Sequence, residues 1–301
     1  PPTETRWDLA LMEFHLRHDA PGPALDAAKS ASSKKPDNLG VLLAYTRAQL
    51  ASGDTIAAKS ALSTATRIAE YDAPAQVQIA SLQLSANNPA GASYSLEKAL
   101  SSRPNYLPAL AKMAEVELRK GDHEKAEKLA RNLTVTEPRL PIGFQLLGDI
   151  AMARKQSGNA IDAYRKAHQI EPNTASLLRL FRAMTTQENA RPALQLAEQW
   201  LKTYPSDISV HKALADGYAR AGEFKAARAA YEAALKLQQN DAEALNNLAN
   251  VLIQLKDPQA VRTAEAALAS APGNSTIIDT LGWALFQNGQ HDRALQMLRD
   301  A

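Results

Sequence analysis

Residues 208–241 read ISVHKALADGYARAGEFKAARAAYEAALKLQQND and carry two apolar stripes with helical spacing, one on each side of Gly222. The stripe before the glycine consists of Val210, Ala213, Leu214, Tyr218 and Ala219, and the stripe after it of Phe224, Ala227, Tyr231, Ala234 and Leu235. Glycine tolerates the backbone conformation of a tight turn. The stretch therefore predicts two amphipathic helices folded into a hairpin.

The same pattern recurs along the chain with a period of 34 or 33 residues. Its clearest marker is an alanine in the second helix of each predicted hairpin: Ala24, Ala58, Ala92, Ala126, Ala160, Ala193, Ala227, Ala260 and Ala294. Proline, which cannot continue a helix, follows most of these second helices. A fixed period of this size is typical of stacked supersecondary units. Such stacks present surfaces that hold other molecules, so the period favours a binding protein over an enzyme.

The order of residue types within one period resembles the tetratricopeptide repeat (TPR), whose unit is 34 residues long. Leu-Ala/Gly-x-x-Tyr, Gly, Ala, Tyr/Phe, Ala and Pro follow one another as in that family. The resemblance implies an all-α fold, a right-handed α-α superhelical solenoid of TPR helix hairpins that forms a single array over residues 1–301. The predicted units are 5–38, 39–72, 73–106, 107–140, 141–174, 175–207, 208–241 and 242–274, with a partial unit over 275–301.

The composition argues against several classes of function. The net charge is +2, from 34 basic and 32 acidic residues, so we predict no nucleic-acid partner. There is no cysteine, which excludes disulfides and thiolate metal sites. No apolar run reaches the roughly 18 residues of a transmembrane helix, so we predict no direct membrane insertion. His15 and His18 stand close together without further ligands nearby. We therefore expect no metal, no cofactor and no catalytic residue.

The sixth predicted unit departs from the pattern. Phe181 or Arg182 stands where a small residue is expected, and Trp200 replaces the second small residue. Larger side chains at these positions push helices apart unless neighbouring residues compensate. We therefore expect a local irregularity over residues 175–207.

The resemblance to TPR proteins also implies a binding surface. In that family the first helix of each unit lines the concave side and binds peptides. The matching positions here are Lys212, Asp216, Arg220, Glu243, Asn246, Asn247, Asn250, Asp279, Thr280 and Trp283. Asparagine amides both donate and accept hydrogen bonds, which suits an extended peptide backbone. Trp283 would supply a flat apolar contact of the kind that dominates binding energy. A second, weaker candidate stretch contains Lys112, Glu115, Arg119, Gln145 and Asp149.

The carboxylate clamp of chaperone-binding TPR proteins is not matched in this chain. It requires a Lys/Asn/Asn/Lys/Arg set across three units, and Asn247 fits only one of these places. The sequence therefore does not predict an adaptor for chaperone tails.

The last units are similar to a narrower family. Residues 194–207, 243–258 and 279–298 resemble the C-terminal region of the TPR-repeat lipoproteins of the bacterial PEP-CTERM/exosortase system. The resemblance is carried by Asn246, Asn247, Asp257-Pro258 and Asp279-Thr-Leu-Gly-Trp283. It implies a role in envelope protein sorting or exopolysaccharide assembly, a periplasmic or envelope-associated location, and a lipid anchor outside this chain.

The leading hypothesis is a non-enzymatic scaffold that holds a protein or peptide segment in the concave groove. A second hypothesis makes the array the regulatory or targeting arm of a larger enzyme, such as a glycosyltransferase. A third is a self-assembling structural array, in which the final helix with Ala294, Leu295 and Leu298 lacks a polar cap and associates weakly with another copy. The chain opens PPTETRWD and closes within a predicted helix, so we expect it to be a piece of a longer protein.

Overall fold

The computed structural model describes residues 4–186 and 190–299, which form 18 α-helices and no strand. The all-α prediction is confirmed. The chain divides into two compact units, one ending at Arg154 and the other beginning at Lys155. The helices of the first unit are α1 (Arg6–Arg17), α2 (Pro21–Lys34), α3 (Leu39–Ala51), α4 (Thr55–Ala69), α5 (Ala73–Ser85), α6 (Pro89–Ser102), α7 (Leu107–Lys120), α8 (His123–Thr136) and α9 (Ile142–Ala153). Those of the second unit are α10 (Ser157–Ile170), α11 (Thr174–Met184), α12 (Arg191–Thr203), α13 (Ile208–Arg220), α14 (Phe224–Leu237), α15 (Ala242–Gln254), α16 (Gln259–Ser270), α17 (Ser275–Gln287) and α18 (His291–Arg299).

Consecutive helices within each unit pack as hairpins. The first unit holds the hairpins α1–α2, α3–α4, α5–α6 and α7–α8, and the second holds α11–α12, α13–α14, α15–α16 and α17–α18. The odd-numbered helices also contact one another, from α1 to α9 in the first unit and from α11 to α17 in the second. Each hairpin therefore packs mainly on its sequence neighbours, as in repeat proteins. The first helices of successive hairpins form one continuous row in each unit.

The periodic alanines lie where the helices approach most closely. All nine are buried, and the most exposed of them, Ala260, is only 5% accessible. A methyl group lets two helix axes come together, and larger side chains such as Leu62, Leu96 and Tyr231 fill the remaining space. The alanine period in the sequence is thus the period of the core.

Each described turn from an odd-numbered helix to the even-numbered helix that follows it contains one residue in the left-handed backbone region. This residue is glycine at Gly53, Gly121, Gly222 and Gly289, with φ between 75° and 83°. Other residue types occupy the corresponding position at Asp19, Asn87, Lys155 and Lys256, with φ between 50° and 59°. The equivalent position of the sixth hairpin falls among residues 187–189, outside the described residues. The backbone conformation of the turn is therefore kept even where the glycine is not.

We expect Lys256→Gly to stabilise the second unit by about 0.5–1 kcal/mol. A side chain in the left-handed region costs about 1–2 kcal/mol, and the larger unfolded-state entropy of glycine offsets part of that gain. Urea denaturation measures the change, with Lys256→Ala as the control, because that variant removes the lysine side chain but keeps the left-handed Cβ. Equal stabilisation by glycine and alanine would show that the backbone is not the cause.

A glycine of the next hairpin accommodates the large side chains of the sixth predicted unit. Phe181 and Leu194 are both buried. A Cβ placed on Gly217 would lie 2.7 Å from Leu194 Cδ2 and 3.0 Å from Phe181 Cζ. The absent side chain at Gly217 thus provides the space that these two residues occupy. The small position of α11 falls on buried Ala183, and the adjacent Arg182 is exposed.

Trp200, the other large residue of this unit, lies half-buried at the end of α12. Its indole N–H donates to Asp207 Oδ2 at 2.8 Å, and its ring lies 4.3 Å from that of Tyr204 between centroids. Asp207 Oδ1 in turn accepts the backbone N–H of Val210 at the start of α13. Trp200 is therefore accommodated by polar and ring contacts at the inter-hairpin loop. The irregularity predicted for residues 175–207 stays a prediction, and residues 187–189 within that stretch lie outside the described residues.

Candidate functional site

The predicted binding residues lie on three consecutive helices of the odd-numbered row in the second unit. α13 carries Lys212, Asp216 and Arg220, α15 carries Glu243, Asn246, Asn247 and Asn250, and α17 carries Asp279, Thr280 and Trp283. The three α13 residues are four apart, so they share one face of their helix. Because α13, α15 and α17 contact one another in sequence, these side chains are neighbours across helices.

Hydrogen bonds connect the predicted residues from each helix to the next. Lys212 Nζ donates to Glu243 Oε2 at 2.6 Å and to Asp241 Oδ2 at 2.9 Å. Asn247 Nδ2 lies 3.4 Å from Asp216 Oδ1. These contacts form polar bridges between α13 and the N-terminal half of α15.

A further bridge joins α15 to α17. Asn250 Nδ2 lies 3.4 Å from Thr280 Oγ1 and 3.2 Å from the carbonyl of Asn246. Thr280 Oγ1 donates to the carbonyl of Thr276 at 3.0 Å. We name the three bridges Lys212–Glu243, Asp216–Asn247 and Asn250–Thr280 the polar ladder.

Asp216 is also held from the second helix of its own hairpin. The hydroxyl of Tyr231, which is 2% exposed, donates a short hydrogen bond to Asp216 Oδ1. Burial, and then this hydrogen bond to a carboxylate, raise the pKa of the Tyr231 hydroxyl well above its ordinary value. Tyr231 therefore stays protonated, and it acts as a donor that fixes the orientation of Asp216.

Lys212 keeps its charge for a related reason. Burial alone would lower the pKa of its ammonium group, but the hydrogen bonds to Glu243 and Asp241 outweigh burial and raise the pKa above the ordinary value. Asp241 also accepts the backbone N–H of Ala244 at 2.9 Å, and so caps the start of α15. The charge of Lys212 is thus largely engaged within the protein.

Removing the Tyr231 hydroxyl should destabilise the second unit by about 1.5 kcal/mol in Tyr231→Phe. The expected cost is that of a buried hydrogen bond to a charged group, with part of the loss recovered by the remaining contact of Asp216 to Asn247. Urea denaturation measures the cost. Tyr204→Phe is the control, because the Tyr204 ring is half exposed. Equal stability of the two variants would contradict the role assigned to Tyr231.

Two adjoining cavities lie along this face. A cavity of about 410 Å³ is lined by Leu178, Phe181, Arg182, Ser209, Lys212, Ala213, Asp216, Arg220 and Glu243. A second cavity of about 300 Å³ is lined by Asp216, Ala219, Arg220, Phe224, Tyr231, Asn247, Asn250, Val251 and Gln254. Asp216 and Arg220 line both cavities, so the two are contiguous. We name them together the groove.

The groove includes six of the ten predicted residues and leaves four outside it. Asn246 and Thr280 are each 7% exposed. The Asn246 side chain is hydrogen-bonded to that of Asn247, and the Thr280 side chain to that of Asn250. Asp279 is exposed on α17, and the half-exposed Trp283 stacks on Phe286 at 5.4 Å between ring centroids. Contact with a partner remains a prediction for all ten residues.

Sequence reasoning missed ten of the sixteen residues that line the groove, among them Arg182, Phe224 and Tyr231. Phe224 and Tyr231 come from the second helix of the hairpin, whereas only first helices were expected to contribute. Arg182 lies in the sixth predicted unit, where the register was ambiguous. Phe224 begins α14 and Tyr231 lies in its middle. Both share the spacing of core residues, so the sequence carries no signal that marks them as groove residues.

The weaker candidate stretch is internally paired. Glu115 accepts from Lys112 at 2.7 Å and from Arg119 at 2.8 Å, all on α7, while Gln145 and Asp149 lie on α9. Pairs of this kind are common on solvated helix faces. The described residues contain no group of three or more His, Cys, Asp or Glu placed to hold a metal ion. Nor does any helix within 4–186 and 190–299 combine the length and apolar character needed to span a bilayer.

Comparisons with known proteins agree on the repeat type. A family model described as "Tetratricopeptide repeat" matches residues 208–251. Over 100 residues the chain is 31% identical to anaphase-promoting complex subunit 7 of Homo sapiens, a match that covers 33% of this chain and 18% of that protein. The chain thus matches less than a fifth of the length of this curated relative.

Solved structures resemble the chain over most of its length. Yeast Tom70 aligns with a TM-score of 0.58 and 13% identity, over 99% of this chain and 84% of that one. A tetratricopeptide repeat protein from Parabacteroides merdae aligns with a TM-score of 0.55 and 16% identity, over 82% and 98% respectively. At such identities the likeness establishes the fold alone. The fold is an array of tetratricopeptide-type helix hairpins.

Proposed function

We propose that this protein is a non-catalytic scaffold and that the groove of its second unit binds a segment of a partner protein. The observation that carries the proposal is the groove itself, where two contiguous cavities run beside a row of polar side chains on α13 and α15. Concave sites with an apolar lining and a few placed polar groups are typical of binding sites. The repeat fold supplies no catalytic constellation of its own and favours binding.

A segment in an extended conformation is the ligand that fits the polar ladder best. The side chains of Asn247 and Asn250 both line the groove, and their long 3.4 Å contacts are weak enough to exchange for bonds to a ligand. The side chains of Arg220 and Asp279 form no hydrogen bond or ion pair with any other described residue. An extended backbone presents unpaired N–H and C=O groups that such amides and charges can satisfy.

Affinity capture with matched baits tests this function. The baits are the wild-type chain, the groove variant Asn247→Ala/Asn250→Ala, and a control variant Gln195→Ala/Lys225→Ala, which alters exposed residues of α12 and α14. We expect the same protein to be retained by the wild type and the control and lost with the groove variant. Retention by all three baits, or by none, would place the function elsewhere.

The resemblance to PEP-CTERM/exosortase lipoproteins extends the proposal to the bacterial envelope, with a role in protein sorting or exopolysaccharide assembly. Part of the resembling motif serves packing, since Asp257 pairs with Arg228 at 2.7 Å and a Cβ on Gly282 would lie 2.6 Å from Leu298 Cδ2. Pro258, Asp279 and Trp283 are exposed members of the motif, and Asn247 is partly exposed. Fractionation of the source cells tests this extension, because a strictly cytosolic protein would contradict the envelope role and leave the groove proposal intact.

A further inference from the structure

We propose that the groove selects a partner segment in which an acidic side chain stands near an apolar one. The acidic group would bind between Arg182 and Arg220 in the larger cavity, and the apolar group would enter the smaller cavity over Phe224 and Val251. This inference rests on the proposed function, because it names the ligand chemistry of the same site.

Positive side chains outnumber negative ones in the lining of the larger cavity. Its lining carries Arg182, Lys212 and Arg220 against Asp216 and Glu243. Lys212 and Glu243 pair with each other at 2.6 Å, and Asp216 accepts from Tyr231 and Asn247. The guanidinium groups of Arg182 and Arg220 form no hydrogen bond or ion pair with any other described residue, and both side chains are exposed.

Two unpaired guanidinium groups at one cavity define the chemistry of the ligand. A guanidinium presents a fork of N–H donors that matches the two oxygens of a carboxylate. Its charge attracts an anion and repels a cation, and the attraction is screened by salt at this exposure. The larger cavity therefore suits the carboxylate of an aspartate or glutamate side chain.

The smaller cavity has a different lining. Ala219, Phe224, Tyr231 and Val251 form its apolar part, and Tyr231 and Val251 are 2% and 3% exposed. Its polar part comes from Asp216, Arg220, Asn247, Asn250 and Gln254, while the Tyr231 hydroxyl is already used by Asp216. An apolar side chain entering this space would gain burial without leaving a polar group unpaired.

Arg182 fixes the order of the two subsites. Asp216 and Arg220 line both cavities, so their opposite charges do not distinguish one cavity from the other. Arg182 lines only the larger cavity, and its positive charge attracts an acidic group to that side. The charges facing the ligand from α11, α13 and α15 thus place the acidic residue on the Arg182 side and the apolar residue on the Asn250 side.

Selection from a displayed library of random linear peptides against the intact chain tests the inference. We expect the selected peptides to share an aspartate or glutamate near an apolar residue. In fluorescence anisotropy, Arg182→Gln/Arg220→Gln should weaken their binding by about tenfold or more. Arg262→Gln/Arg299→Gln is the matched control, because it removes the same charge from exposed positions on α16 and α18, away from the groove. It should change the affinity less than about twofold.

Changes in the peptide locate each subsite without altering the protein. Replacing the acidic residue by its amide should weaken peptide binding as much as Arg182→Gln/Arg220→Gln does. Combining the two changes should weaken binding little further. Replacing the apolar residue by glycine should couple in the same way with Phe224→Ala, because Phe224 lines the smaller cavity. Raising the ionic strength should weaken the binding of the acidic peptide more than the binding of its amide counterpart.

The outcomes separate this inference from the proposed function. Peptides that lack an acidic residue, or that bind Arg182→Gln/Arg220→Gln as well as the wild type, would overturn the acidic–apolar selection. If such peptides still lose binding with Asn247→Ala/Asn250→Ala, the groove function stands. Peptides indifferent to both variants, or a library that yields no binder at all, would contradict the groove function together with its selectivity.

Discussion

Replacing Gly143 by alanine will lower the free energy of unfolding of the first unit by about 3 kcal/mol. A Cβ on this glycine would lie 2.9 Å from both the backbone nitrogen and Cγ2 of Thr134 and 3.2 Å from the carbonyl oxygen of Ala130. Two of these three atoms belong to the backbone of α8, which cannot rotate away as a side chain could. The start of α9 must therefore move away from α8, and the packing around Ala130 and Ile150 loosens with it.

Gly158→Ala is the matched control for this prediction. Gly158 lies in the first turn of α10, and nothing stands within 4 Å of a Cβ placed there. Alanine is the better helix former, so we expect this variant to be neutral or to gain up to about 1 kcal/mol. Urea denaturation followed by far-UV circular dichroism compares the two. A Gly143→Ala protein as stable as Gly158→Ala would show that α8 and α9 do not need their close approach.

Replacing Glu117 by glutamine should cost about 2 kcal/mol, the second largest effect that we expect. The Glu117 side chain is 1% exposed, and its carboxylate pairs with Lys125 at 2.8 Å and with Lys120 at 3.0 Å. Both lysines are partly exposed and can return to solvent, so the cost lies below that of a fully buried pair. The amide also places an N–H donor where the carboxylate accepted hydrogen bonds. Hydrogen exchange of the backbone amides of α7 and α8 measures the local loss of stability.

Acidification should remove the stabilisation that the ion pairs of Glu117 give to the wild-type protein. Burial would raise the pKa of Glu117, but the hydrogen bonds and charges of Lys125 and Lys120 outweigh burial and lower the pKa below the ordinary 4.5. A lowered pKa stabilises the folded state above the ordinary value, and that stabilisation is lost as the pH falls through the folded-state pKa. The difference between wild type and Glu117→Gln should therefore shrink below about pH 4.5. A difference that stays constant on acidification would exclude the ion pair as its source.

Much of the fold could be predicted because the repeat displays the same packing many times. A single alanine at position 227 says little, but nine alanines in phase indicate a seam of close helix contacts, and all nine are buried. The turns were less predictable. Gly53 and Gly121 mark their turns by residue type, whereas Lys155 and Lys256 adopt the left-handed conformation with side chains that ordinarily avoid it. Their conformation is set by the helices on either side.

The candidate groove was predictable at six positions of α13 and α15, whereas its residues from α11 and from the second helix α14 were not predicted. Family resemblance gave Asp216 and Asn247, since both stand at positions that face a ligand in such repeats. The roles of Phe224 and Tyr231 depend on how far α14 lies from α15, which sequence spacing does not specify. Assigning Arg182 to the groove requires the register of α11. The structure sets that register, because Ala183 takes the small position and Phe181 packs on Gly217.

The recurring left-handed residue has a consequence for how such a gene can change. Gly53 and Gly121 have the same φ of 83° at the same place in their hairpins. A recombination event that joins the coding sequence at these two turns would delete whole hairpins and leave an unaltered junction. The reverse event would duplicate them. Substitutions at the position, such as those to asparagine or lysine, leave the junction intact, since the conformation persists at Asn87 and Lys256. Evolution can thus lengthen or shorten the protein by entire repeats while every surviving helix keeps the kind of neighbour it had before.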